Sequence, residues 1–196
     1  RYEAAAREVL ANTALPIATD DRSGLYFSLE SAREAVEDST GVRALEEEHV
    51  AMLEDMAKRA TTPDQRFVFD AHRLSLYIEL GRAQDAIPML EQSQKDFPQD
   101  YNPPQRLATA YKALGRWTEA LAASDRALEL AYGPRQFLVL TTRAEIQLGM
   151  GNKDAAVQTL MGALKKAQAM PDGQHSDTTV SGLLKRLAAL GAKVEG

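Results

Sequence analysis

Residues 77–86 read YIELGRAQDA, and residues 111–120, 34 positions later, read YKALGRWTEA. Both stretches hold Tyr, Leu-Gly-Arg, an acidic residue and Ala at the same places. A fixed period near 34 indicates a repeated supersecondary unit. A stack of such units presents a surface for binding, whereas the repeat itself supplies no chemistry. The repeat therefore favours a binding function over an active site.

The composition indicates a folded, soluble protein. The chain has 196 residues, of which 44% are hydrophobic and 26% are charged. No apolar run approaches the length that a membrane span needs. The formal net charge is −5, so the broad basic surface of a nucleic-acid-binding protein is missing. We therefore expect neither a nucleic acid nor a membrane among the partners.

The absence of cysteine excludes several kinds of site. Disulfides, zinc–thiolate sites, iron–sulfur clusters and thiol catalysis all need cysteine. A cysteine-free domain suits either the cytoplasm or the periplasm, so the compartment stays open. The sequence begins with Arg1 rather than Met. We therefore expect a processed protein or part of a longer one, which a signal peptide or another domain would precede.

Apolar residues recur at spacings of three and four from end to end, which predicts helices and no strands. Thr62-Pro63 and Asn102-Pro103 combine a capping residue with a first-turn proline. Gly81, Gly115 and Gly151 stand where one helix ends and the next begins. We predict helices over 63–80, 84–97, 102–114, 118–131, 135–149 and 153–169, and N-terminal helices over 2–14, 25–37 and 42–60 with a break at 19–24.

Both units resemble the tetratricopeptide repeat, a 34-residue pair of antiparallel helices with small residues at fixed positions. Small side chains let the paired helices approach closely. We take Gly81 and Gly115 as the glycines between the two helices of each unit. The family then has a small residue, a bulky residue and a second small residue in the second helix. The first unit holds Ala86, Leu90 and Ser93 there, and the second unit holds Ala120, Ser124 and Ala127. The closing proline is Pro98 in the first unit, whereas the second has Tyr132 there and Pro134 two residues later.

A third unit keeps the second-helix pattern of the family. Gly151, Ala156, Leu160 and Ala163 follow that pattern, at a spacing of 36. Its first helix has Arg143 and Gln147 where the family has Leu and Tyr. After a loop predicted at Pro171-Asp172-Gly173, one apolar stripe ending at Gly191 predicts a capping helix; the stripe is Val180, Leu183, Leu184, Leu187 and Leu190.

These patterns predict an all-α fold, a right-handed superhelix of about three helical hairpins with flanking helices. Residues 1–62 form either a helical cap or a degenerate repeat, and both alternatives stay open. The three repeats span 63–99, 100–134 and 135–170. The segment 171–196 supplies the capping helix and a tail.

A second resemblance concerns the repeat tails of bacterial thioredoxin-like proteins. The stretches that carry it are residues 62–70, 100–104 and 131–135. This resemblance implies that a redox domain precedes the chain and that the repeats are its accessory region. No active-site dithiol is present in the chain, so the resemblance assigns no redox activity to it.

One motif for metal chemistry occurs, at Glu46-Glu-Glu-His49. A Glu-x-x-His spacing serves di-iron sites, but such a site needs a second copy. Phe69 and Asp172 stand three residues before His72 and His175, so the second copy is missing. We expect a solvated acidic face at residues 46–49, and neither a metal, a cofactor nor an enzymatic activity.

The first helices of successive repeats line the concave face in the tetratricopeptide family, where their polar positions contact an extended peptide. That resemblance implies a groove lined by His72, Ser75, Glu79, Asn102, Gln105, Arg106, Thr109, Lys112, Leu138, Thr141, Thr142 and Glu145. Asn102 is also a predicted helix cap. A mixed polar groove that contains Arg106 and Lys112 suits a peptide with acidic character.

One subtype of the family holds a peptide's terminal carboxylate with a Lys/Asn/Arg clamp. The matching positions of this chain hold Ala71, Ser75, Arg106 and Thr142, so the clamp is not assembled. Trp117 stands where the repeat buries an aromatic side chain between its helices. We therefore expect Trp117 to pack rather than to bind.

The function that these patterns favour is non-catalytic protein or peptide binding through the concave face. Two alternatives remain. The chain is the accessory region of a larger, thioredoxin-like redox protein, or it is a self-association module that forms a homodimer.

Overall fold

The computed structural model describes residues 2–12, 14–15, 17–171 and 177–193. Within these ranges the chain is all-α, as predicted, with eleven helices and no strand. The helices are α1 (Tyr2–Ala11), α2 (Thr19–Glu34), α3 (Ser39–Arg59), α4 (Pro63–Phe67), α5 (Asp70–Glu79), α6 (Ala83–Asp96), α7 (Asn102–Ala113), α8 (Trp117–Leu130), α9 (Arg135–Gly149), α10 (Lys153–Gln168) and α11 (Asp177–Ala189).

The helices fall into two compact units, Arg1–Arg82 and Ala83–Gly196. In the first unit α3 packs against α2 and α5. In the second unit the helices from α6 to α11 pack in chain order, and α7 also packs against α9. The division falls inside the stretch 63–99, which we predicted as the first repeat, and it assigns α5 and α6 to different units.

The five helices from α6 to α10 begin and end within one residue of the predicted bounds. The helix predicted over 63–80 is wrong in one respect, because the structure breaks it into α4 and α5. At the break, the Phe69 amide donates to the carbonyl of Arg66, three residues back, at 3.1 Å. This tighter turn leaves Val68 exposed and buries Phe69 and Asp70.

The predicted break at residues 19–24 is wrong, because these residues form the first turns of α2. The guanidinium of Arg22 is buried there and donates to four carbonyls at and beyond the end of α1. The acceptors are Val9, Leu10, Asn12 and Leu15, at 3.3, 3.4, 2.9 and 3.1 Å. The last carbonyls of a helix have no partner within it, so Arg22 satisfies groups that water would otherwise hydrate.

The Leu-Gly-Arg sequence closes a helix in both copies of the repeat. Gly115 has φ +67°, and the Arg116 amide donates to the carbonyl of Tyr111 at 2.9 Å. This bond places Arg116 over the Tyr111 ring, 4.6 Å from its centroid. Arg82 stands over Tyr77 in the same way at 5.3 Å. The left-handed glycine and the cation–π contact explain why Tyr, Gly and Arg recur together.

Small side chains hold the helix pairs of the second unit together. Ala108 of α7, Ala120 of α8 and Ile146 of α9 are fully buried and belong to one cluster. Trp117 packs against the same cluster, as expected. A Cβ atom at Gly149 would lie 2.4 Å from the Trp117 ring, so a glycine is needed there. Three helices thus meet where a larger side chain has no room.

The polar residues of α9 that depart from the repeat pattern form interhelical bonds. Arg143 pairs with Asp125 and lies 3.3 Å from the hydroxyl of Ser124, both on α8. Gln147 accepts a hydrogen bond from Thr159 of α10 at 2.8 Å. These contacts replace the apolar packing that Leu and Tyr provide elsewhere in the family.

The helix α11 covers the end of the second unit. Leu183 and Leu187 are buried in one cluster with Leu160 and Leu164 of α10. Leu184, which we placed on the same stripe, is 37% exposed. Asp172 and Gly173 of the predicted loop, and His175, lie outside the described residues. Over the part of the chain that the structure describes, no helix is long and apolar enough to cross a membrane.

We predict that Ala120→Leu destabilises the fold by about 1–3 kcal/mol, because the added atoms have no space between α7, α8 and α9. The measurement is thermal and urea unfolding of the full chain. Ala122→Leu, at an exposed position of the same helix, is the matched control and is expected to leave stability nearly unchanged. An unchanged melting temperature for Ala120→Leu would contradict the helix pairing.

Candidate functional site

The structure divides the twelve predicted groove residues between the two units. His72, Ser75 and Glu79 lie on α5 in the first unit. The other nine lie on α7 and α9, which pack against each other in the second unit. We call this second set the first-helix face; it consists of Asn102, Gln105, Arg106, Thr109, Lys112, Leu138, Thr141, Thr142 and Glu145.

Two of the nine residues are buried and bind each other. Gln105 and Thr142 are each 5% exposed, and the Gln105 amide nitrogen donates to the Thr142 hydroxyl at 2.8 Å. The amide oxygen of Gln105 is buried without a hydrogen-bond partner. This pair joins α7 to α9 beneath the surface. Its burial and its hydrogen bond give it a structural role.

A charged cluster spans three helices at the end of the first-helix face. Lys112 of α7 forms an ion pair with Glu145 of α9. Arg186 of α11 approaches the same carboxylate at 3.6 Å. The three side chains are between 29% and 50% exposed. The cluster therefore holds two cations around one carboxylate and has a net positive charge.

The remaining residues of the first-helix face differ in their accessibility. Leu138 is 55% exposed, whereas Arg106, Thr109 and Thr141 are half-buried. The Thr109 hydroxyl donates to the carbonyl of Gln105 in its own helix at 3.1 Å. Thr141 and Leu138 thus leave accessible side-chain surface beside Arg186 of the charged cluster.

Asn102 does not cap α7, contrary to the prediction. The N-cap residue is Tyr101, whose side chain makes no capping bond, and the carboxylate of Asp100 accepts from the backbone amide and the side-chain amide of Asn102, both at 2.8 Å. One residue, Tyr101, separates Asp100 from the helix start, so the acidic group also complements the positive end of the helix. Asn102 is half-buried at the edge of the first-helix face.

A pocket of about 250 Å³ lies between α9 and α11. Phe137 and Leu183 contribute buried apolar surface, and Leu138 and Thr141 also line it. Arg186 of the charged cluster is a further lining residue, so the pocket and the cluster are continuous. The sequence indicated α11 as a cap and did not indicate that it lines a pocket with α9.

The groove residues of α5 are described within the first unit. His72 is half-buried and stands edge-on to Phe27, with 6.1 Å between the ring centroids. The Ser75 hydroxyl donates to the carboxylate of Glu79 at 3.0 Å. Burial raises the pKa of Glu46, and the negative charge of Glu79 raises it further. This surface of the first unit is therefore acidic.

The expected solvated face at residues 46–49 is wrong for His49, which is completely buried. Its ring stacks on Tyr26 with 4.6 Å between centroids. One ring nitrogen lies 2.9 Å from the Ser23 hydroxyl, and the other lies 3.7 Å from the Glu30 carboxylate. Leu45 and Leu53 lie four residues to either side of His49, a spacing that indicates its apolar face.

A Ser–His–Glu arrangement resembles the order of groups in a hydrolytic triad, but accessibility argues against that role here. Ser23 is 1% exposed and His49 is completely buried, so both side chains lie beneath the surface of the first unit. Among the described residues, no group of three His, Asp or Glu side chains is placed to hold a metal ion.

The fold and the surface define a helical repeat protein. A tetratricopeptide-repeat family model matches residues 77–141, so the resemblance to that family is confirmed for this part of the chain. The matched segment contains both copies of the Leu-Gly-Arg turn and the start of α9. The resemblance to thioredoxin-like tails stays a prediction.

A solved structure shares the fold across most of the chain. The crystal structure of BtubC (BKLC) from P. vanneervenii matches with a TM-score of 0.59 and 20% sequence identity. The match covers 97% of this chain and 79% of that one. Comparison with curated protein sequences gave no match. At 20% identity the likeness shows a common fold alone.

We predict that Thr142→Val lowers stability by about 1–3 kcal/mol, because it leaves the buried amide of Gln105 without its acceptor. Urea unfolding measures the change, and Thr141→Val, one residue away and half-buried, is the matched control. The double variant Gln105→Leu/Thr142→Val is expected to recover part of the loss. Equal stability of Thr142→Val and the wild type would show that the pair contributes nothing.

Proposed function

We propose that this protein is a non-catalytic binding scaffold, which holds an extended peptide segment of a partner protein on the first-helix face. Tetratricopeptide repeats are generally protein-interaction scaffolds, and the family model covers α7, α8 and the start of α9. The observation that carries the proposal is the continuous surface of accessible polar and charged side chains across α7 and α9.

The charge of this surface favours an acidic partner segment. Lys112 of α7 and Arg186 of α11 outnumber the single carboxylate of Glu145. Guanidinium and ammonium groups bind carboxylates through charge-assisted hydrogen bonds. The protein as a whole is acidic, with a net charge of −5, so the cations of this face form a local exception. A partner carboxylate is attracted to these cations.

We propose a non-catalytic role for two reasons: the family is generally one of interaction scaffolds, and the buried polar groups are inaccessible. The repeat supplies packing and surface, and the Ser23–His49–Glu30 group is enclosed in the first unit. Gln105, Thr142 and Thr109 of the first-helix face are engaged in structural bonds. None of these contacts activates a nucleophile.

The test is a selection of displayed random peptides on the immobilised full chain, followed by fluorescence anisotropy with the selected peptides. We expect acidic peptides, and we expect Arg106→Ala/Lys112→Ala to weaken their binding by about tenfold or more with little change in helicity. Added salt is expected to weaken binding further, because the contacts are half-exposed.

The matched control is Lys153→Ala/Lys165→Ala, which removes the same charge from exposed positions of α10. It is expected to leave the dissociation constant within about twofold of the wild type. If both double variants weakened peptide binding equally, the effect would come from net charge alone, which would contradict the proposal. Parallel loss of binding and of helicity in Arg106→Ala/Lys112→Ala would show that these residues are structural.

A further inference from the structure

The helix α11 does more than cover the end of the repeats, because it borders an open pocket. Leu183 and Leu187 bury its inner side, whereas Gly182 and Arg186 line the pocket between α9 and α11. A Cβ atom built on Gly182 meets nothing within 4 Å, so space remains there. At about 250 Å³ the pocket is smaller than the sites of drug-sized ligands and suits one apolar side chain.

The charged cluster lies at one end of this pocket and supplies a second point of recognition. Arg186 approaches Glu145 at 3.6 Å. A guanidinium has five N–H donors, so this single approach leaves Arg186 able to hold a further carboxylate. Lys112 stands on the other side of Glu145 and adds to the attraction. An apolar side chain and a carboxylate thus have neighbouring binding places.

The rise along α9 between the pocket and the charged cluster sets the spacing expected between the two side chains of the partner. Leu138 at the pocket and Glu145 in the cluster are seven residues apart on α9, which corresponds to about 10 Å along the helix. A polyproline II segment rises about 3.1 Å per residue with three residues per turn, so side chains three residues apart face the same way at about 9 Å. In a β-strand, residues three apart face opposite sides.

From this geometry we infer that the pocket between α9 and α11, together with Arg186, binds a polyproline II segment of a partner protein that carries an apolar and an acidic side chain three residues apart. The apolar side chain enters between Leu138 and Gly182, and the carboxylate binds Arg186 beside Glu145. This inference rests on the proposed function and assigns the partner's chemistry to a definite part of the surface.

The test uses proline-rich peptides with blocked termini and a dye label. Each peptide holds one Leu at position i and one Glu at position i+2, i+3 or i+4. Their dissociation constants with the full chain are measured by fluorescence anisotropy. We expect the peptide with Glu at position i+3 to bind about tenfold more tightly than the i+2 and i+4 peptides. Equal affinity for the three separations, or binding by none of them, would overturn the inference.

The substitution Gly182→Leu fills the pocket without removing any side chain. We expect Gly182→Leu to weaken the binding of the i+3 peptide by about tenfold or more. The melting temperature of the protein is not expected to fall, because leucine favours a helix more than glycine does. Gly162→Leu is the matched control, at an exposed position of α10 that also has open space around it. It is expected to leave the affinity within about twofold.

A double-mutant cycle tests the carboxylate contact separately and does not depend on how Gly182→Leu folds. Arg186→Gln in the protein is combined with Glu→Gln in the peptide. We expect the second change to have little further effect once the first is made, since both remove one contact. Additive effects would show that Arg186 does not bind the peptide carboxylate.

The cycle and the pocket variant also separate this inference from the proposed function. The peptides selected on the full chain are measured against the same variants. If those peptides require Arg106 and Lys112 but are unaffected by Gly182→Leu and Arg186→Gln, the first-helix face is the binding surface and the assignment to the pocket is wrong. If they are unaffected by all four changes, both proposals fail.

Discussion

The backbone turn that closes the first helix of a repeat governs much of this structure. At Gly115 the chain enters the left-handed region, and the following amide returns to the carbonyl of Tyr111. One bond therefore ends α7, sets the direction of α8 and places Arg116 on an aromatic face. Because α8 leaves the turn in this direction, Ala120 reaches the junction with Ala108 and Ile146. Local geometry and close packing are thus two results of one turn.

The elements best predicted from the sequence are those whose bounds depend on neighbouring residues alone. Glycine ends a helix through its own backbone freedom, so the ends of α5, α7 and α9, each followed two residues later by a glycine with positive φ, were predicted to within one residue. The errors arose where distant residues decide the outcome. Residues 19–24 contain acidic residues and a glycine, which indicate a break, but Arg22 bonds to carbonyls 7 to 13 positions earlier and stabilises the helix.

The candidate site shows the same limit. The positions of Gln105 and Thr142 on their helices follow from the repeat, but the depth of each side chain depends on how closely α7 approaches α9. Family position therefore indicated the correct face without separating buried residues from accessible ones. The contribution of Arg186 was not visible at all, because α11 lies outside the repeat pattern and its place beside Glu145 is a result of tertiary packing.

The contacts of Arg22 have a consequence for the integrity of the N-terminal region. A buried guanidinium is tolerable only while its acceptors stay in place, and all four acceptors precede α2 in the chain. Proteolytic removal of residues 2–15 would remove all four acceptors of Arg22 at once. The segment therefore does more than cover apolar surface, because its main-chain carbonyls compensate the positive charge of Arg22 within the first unit.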